Sequence, residues 1–139
     1  MNRLKKCNCS LLVLAPLVLA SSIILEASHG EAILGVRFNI WVAAHIALAA
    51  TFIALVFWHL KLNWGKISGW PKRLSSRKSG AAKALSILCI LTAATGIVAI
   101  PVWLLHGHTP VGRIHGKAGF IFLLLAILHT NRHRRWFRK

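Results

Sequence analysis

Two pairs of histidines set at one spacing, each inside a long apolar run, constrain this chain more than any other feature. The run from Trp41 to Trp64, WVAAHIALAATFIALVFWHLKLNW, carries His45 near one end and His59 near the other. The stretch HGKAGFIFLLLAILHT repeats the device with His115 and His129, again with thirteen residues between them. On a helix, fourteen steps of about 100° fall about 40° short of four turns, so each pair shares a face with about 21 Å of rise between its members. That is most of the roughly 30 Å hydrocarbon thickness of a bilayer. Each run therefore reads as a membrane span with an imidazole near either surface.

Composition agrees with this reading. The chain has 139 residues, 56% of them hydrophobic, with a mean hydropathy of +0.62, which fits one small transmembrane domain covering 1–139. Its 18 Lys and Arg face only two acids, Glu26 and Glu31. In a soluble protein that imbalance would suggest a nucleic-acid binder, but here the cations lie between apolar runs and act as topology signals, so no nucleic-acid partner is expected. Cys7, Cys9 and Cys89 make no disulfide framework, and CNCS lacks the C-x-x-C-H of covalent haem attachment. Cys7 and Cys9 read as juxtamembrane thiols rather than a metal or palmitoylation site, and Cys89 as a small apolar packing residue.

Four spans follow, at roughly 8–27, 39–60, 84–105 and 114–130, with a basic loop over 61–83 and a basic tail over 131–139. The expected fold is all-α, a four-helix transmembrane bundle built from two helical hairpins. The basic start and the apolar Leu11 to Leu25, interrupted by Pro16, partly resemble a signal peptide; the poorly formed cleavage site favours a retained first span. Fifteen cations flank one side (Arg3, Lys5 and Lys6, seven from Lys61 to Lys83, five in the tail) and three the other, Arg37, Arg113 and Lys117. The richer side is cytoplasmic, so both termini are expected inside. Trp58, Trp64, Trp70, Trp103 and Trp136 fall near span ends, as interfacial aromatics do. Spans two and four then run in the same direction, and His45 matches His115 in depth, as His59 matches His129. Both matches are an offset of 70, a weak internal repeat of a two-helix unit.

Neutral imidazole is a good iron ligand, and span histidines usually face a bundle interior. Two axial histidines per level leave iron no open position, which suits electron transfer. The pattern therefore predicts a cytochrome b-like protein with two non-covalent b-type haems, one held by His45 with His115 and the other by His59 with His129. Ala47, Ala49, Ala50, Gly116, Gly119 and Ala126 are small residues beside the ligands, useful to a macrocycle and equally to helix packing. Arg113, Lys117 and Arg37 are candidate propionate partners on the outer side, and Lys61, Arg132 and Arg134 on the inner side. His29, His106 and His108 form an outer cluster suited to proton exchange with a quinol or contact with a redox partner, and His106 or His108 is an alternative to His115 as outer ligand. A zinc or copper site is the rival metal reading, with only two ligands per level from these spans. No nucleophile, acid/base pair or flavin motif appears, so the chain is expected to relay electrons rather than act alone as an enzyme. Alternatives from other classes are a haem-containing membrane anchor of a larger oxidoreductase and a haem-free assembly protein whose histidines join helices.

The paired H-x13-H spacing, the LNW after His59, the Thr95-Gly96 of the third span and HGKAGFIF before the last histidine resemble the flavinylation-associated cytochromes, four-helix membrane proteins of bacteria. The likeness covers spans two to four well and span one loosely, and a more distant one extends to the haem cores of quinol-oxidising b cytochromes. It implies a protein of the bacterial cytoplasmic membrane passing electrons through two b haems toward extracytoplasmic partners, often flavinylated; a quinone is a candidate further cofactor beside the two haems. It also implies His45, His59, His115 and His129 as axial ligands. Asn63 stands where relatives often have histidine.

Overall fold

A computed structural model describes residues 3–64, 80–106 and 110–132, with side chains at all of these but 80–83, 104, 106 and 132. They form four long helices: α1, Arg3–Ser28; α2, Phe38–Leu62; α3, Gly80–His106; and α4, Pro110–Arg132. Each contains a stretch long and apolar enough to cross a membrane. By length and composition this is a multi-pass membrane protein. A helix satisfies its own backbone hydrogen bonds, which is the condition for crossing hydrocarbon. The outward-facing residues agree, since Ile97 (70% exposed), Ile90 (69%) and Phe57 (68%) would be liabilities in water and are ordinary against lipid.

The helices extend beyond the expected spans. The first takes in Arg3, Lys5 and Lys6 and runs unbroken through Pro16, and α3 likewise passes Pro101 and reaches His106. Pro110 opens α4, a position where its missing N–H costs nothing, so the turn expected over His106 to Arg113 is shorter than its composition suggests.

Two compact units result, Met1–Ser68 and Gly69–Lys139, each holding one hairpin. In the first, α1 packs antiparallel on α2, since Cys7 meets Leu55 and Ser21 meets His45. The connection closes in two steps. His29 adopts a left-handed φ of 48° just past α1, followed by Gly30 at 92°. Ile33 and Val36 then bond reciprocally at 3.1 and 3.0 Å around Leu34 and Gly35, both with positive φ, the geometry of a type I′ turn. The Trp41 indole donates to the Ile33 carbonyl at 3.4 Å and ties this turn to α2. In the second unit α3 packs antiparallel on α4, with Thr92 against Gly119 and Gly96 against His115.

Candidate functional site

Each histidine pair lies on one continuous helix, His45 and His59 on α2 and His115 and His129 on α4, and all four side chains are half-buried. The preceding helix brings polar atoms to His45 and His59 in the first hairpin and to His115 in the second.

In the first hairpin these atoms are side chains of α1. The Ser21 hydroxyl donates to the Val18 carbonyl at 2.8 Å, and with its proton there its oxygen accepts from His45 Nδ1, 2.9 Å away. At the other end, Asn8 Oδ1 stands 2.8 Å from His59 Nδ1. An amide oxygen accepts only, so His59 Nδ1 also carries the proton. The Asn63 amide sits on the opposite edge of this ring, 2.9 Å from the His59 carbonyl and 3.5 Å from Nε2, and its N–H groups suit an Nε2 bearing a lone pair.

In the second hairpin the acceptor is backbone. His115 Nδ1 donates to the Thr92 carbonyl at 3.0 Å, with Thr95 Oγ1 3.4 Å away. The Thr95 proton goes to the Leu91 carbonyl at 2.8 Å, so this oxygen too faces the ring as an acceptor. Gly96 gives the ring its room here, since a Cβ on it would stand 2.9 Å from His115 Cε1 and 3.2 Å from Nδ1. Three of the four imidazoles thus share one tautomer, proton on Nδ1 and lone pair on Nε2. A metal-ligating histidine takes this form when its other nitrogen is hydrogen-bonded to the protein.

Thr92 adds a further observation. Thr51, Thr95 and Thr130 each donate to the carbonyl four residues back, at 2.8, 2.8 and 2.9 Å. Thr92 does not; its methyl packs toward Gly119, and its buried hydroxyl has no hydrogen-bond partner among the described residues. Such a group costs about 1–3 kcal/mol in a dry interior unless something bound supplies the missing bond.

The remaining expected site residues are more dispersed. His29 and Arg37 are exposed in the connection of the first hairpin, at the His45 end. Arg113 and Lys117 are exposed two residues either side of His115, about 200° round the helix from it. Lys61 places its ammonium 5.6 Å from the centre of the Trp58 ring, on its own helix. His108 and Arg134 lie outside the described residues, as do the side chains of His106 and Arg132. Of the small residues, Gly119 serves packing against Thr92, whereas a Cβ on Gly116 would meet nothing within 4 Å. Cys7 is buried and directs its thiol at the Leu55 carbonyl, 3.6 Å away, a packing role. Among the described residues no three His, Cys, Asp or Glu gather into a metal-binding group. What each hairpin offers is single, oriented imidazoles.

Sequence reasoning missed Asn8, Ser21 and Thr92 as neighbours of the histidines, yet a signal for the first two was present. Reflecting α2 about residue 33, midway between Ser28 and Phe38, brings 45 opposite 21 and 59 opposite 7, beside Asn8. Polar residues at those places on an apolar helix are partners for the imidazoles. Comparison with family models, curated proteins and solved structures finds no match for this chain.

Proposed function

We propose that this chain is a di-haem b-type membrane cytochrome that relays electrons across the membrane. One haem would be held by His45 and His115 and the other by His59 and His129. The observation that carries the reading is the repeated histidine pair, 21 Å of rise apart by helix geometry on one continuous helix, with three rings set in the Nδ1–H tautomer. The donor set fits the group, because iron in a bis-histidine haem is bound by neutral imidazole nitrogen and needs the rings oriented and their second nitrogens engaged. Haem bound there supplies reversible one-electron chemistry at iron.

The rest falls to the protein. Ser21, Asn8 and the Thr92 carbonyl hold the rings and their tautomers, Gly96 lets the His115 ring lie close to α3, and the apolar spans exclude water. Arg37, Arg113, Lys117, Lys61 and Arg132 remain candidates for propionate partners, reached by long side chains. The excess of cations on one side supports cytoplasmic termini, and the resemblance to flavinylation-associated cytochromes supports a bacterial cytoplasmic membrane as the one the spans cross. The resemblance to flavinylation-associated cytochromes supports electron delivery from a quinol or cytoplasmic-side donor to an extracytoplasmic, flavinylated partner.

A second reading has support of its own. The same hydrogen bonds join α1 to α2 and α3 to α4, as histidines acting purely to hold helices together would. The two readings part on a reduced-minus-oxidised absorbance spectrum with pyridine haemochrome quantification on detergent-purified protein. Two low-spin b-type haems per chain are expected. A colourless protein after expression with adequate haem supply would leave the histidines as helix contacts.

A further inference from the structure

We infer that α1 sets the donor strength of the two α2 imidazoles, and so the potentials of the haems they would hold, separately, Asn8 acting on His59 alone and Ser21 on His45 alone. This rests on the haem reading above and adds to it two positioning residues that touch neither metal nor macrocycle.

The two contacts differ in chemistry and place. Asn8 offers His59 an amide oxygen at 2.8 Å. Ser21 offers His45 a hydroxyl oxygen at 2.9 Å whose own proton is committed to Val18. The two imidazoles are about 21 Å of rise apart, so one acceptor cannot act on both by contact. A stronger acceptor at Nδ1 draws that proton outward, makes Nε2 a better donor to the metal and stabilises the oxidised iron. The neutral amide and the relayed hydroxyl are intermediate settings that substitution can push either way. Asn8→Asp keeps the shape and adds negative charge, turning the contact into a charge-assisted bond. Asn8→Ala removes the acceptor.

The test is a redox titration of the purified full-length chain, followed by absorbance and by low-temperature electron paramagnetic resonance, with haem counted in every sample. Two redox components are expected in the unsubstituted protein. Asn8→Asp should lower the potential of one, and Asn8→Ala should raise that same one. Ser21→Ala should raise the other and leave the first unmoved. A purely structural role for Asn8 would shift both variants the same way or neither. That result, or a shift of one shared component by Asn8 and Ser21 variants, overturns the inference while two haems per chain are retained. An unsubstituted chain without haem overturns the cytochrome reading itself, and the haem count tells the two failures apart. If Asn8→Ala does not accumulate, Asn8→Asp and Asn8→Ser, a lengthened neutral contact, still provide opposite directions.

Discussion

The two hairpins hold their imidazoles by different means. In the first, α1 reaches across with side chains, the Ser21 hydroxyl to His45 and the Asn8 amide to His59. In the second, α3 receives His115 with the Thr92 carbonyl, and Gly96 makes room for the ring. A side-chain acceptor can be exchanged, and with it the electron density on the ring. A backbone carbonyl stays through every substitution, so control passes to the space around the ring. The first hairpin is thus adjustable in chemistry and the second in geometry, although both leave the lone pair on Nε2.

Removing the rings tests whether this shared outcome matters. His59→Ala and His129→Ala, one in each hairpin, should each halve the haem content measured by pyridine haemochrome and spare membrane insertion. Equal losses would mean that each ring is needed for haem whichever support holds it. Unchanged haem in both variants would end that ligand assignment. Insertion should survive because an interhelical hydrogen bond in a membrane contributes only about 0.6–2 kcal/mol.

Gly96→Ala probes the geometric hairpin directly. The new Cβ must displace the His115 ring, and the ring is tethered by its 3.0 Å bond to Thr92. Overpacking of this kind costs about 1–3 kcal/mol, or about 5- to 150-fold in an equilibrium. The gain in helix propensity, about 1 kcal/mol, offsets part of that. Occupancy of the haem assigned to His115 should fall in a haem titration, and the other haem should stay. Gly116→Ala is the control, since its Cβ meets nothing within 4 Å and only the propensity gain remains.

The difference between the hairpins also explains what could be read in advance. Long apolar runs and the fourteen-residue spacing depend on helix periodicity, so the four spans and the shared faces were legible. Span ends were less so: α1 begins at Arg3 rather than near residue 8, because long cationic side chains can extend to water while the backbone stays helical. The α1 partners were within reach, because the first hairpin closes symmetrically. The same reflection fails in the second. About residue 108 it puts Pro101 opposite His115, whereas the ring meets Thr92, Thr95 and Gly96, about one and a half to two and a half turns away. A backbone acceptor leaves no residue type to look for, and the Thr95-Gly96 pair was noticed only as a family likeness. Span-flanking charge such as Lys61 carries no direction in the sequence, and the structure adds only that its ammonium lies 5.6 Å from the Trp58 ring centre on its own helix.

Smaller effects belong to the hydroxyls of α3. Thr95→Val should change little, within about 0.5 kcal/mol in thermal unfolding, because the carbonyl of Thr92 keeps the main bond to His115. Thr92→Val is more informative because its sign is at stake. Valine preserves the shape and replaces a buried hydroxyl that has no partner among the described residues. If nothing else meets that hydroxyl, its removal relieves a desolvation penalty and should stabilise the chain by about 1 kcal/mol. That is the outcome expected in protein prepared without haem. In haem-loaded protein the same substitution should gain less, or cost stability, if the second hairpin's spare polar atom bonds something bound beside His115. Equal stabilisation in both preparations would make Thr92 a packing residue whose methyl, seated on Gly119, is its whole contribution. The second hairpin would then act on its imidazole through the carbonyl and the glycine alone.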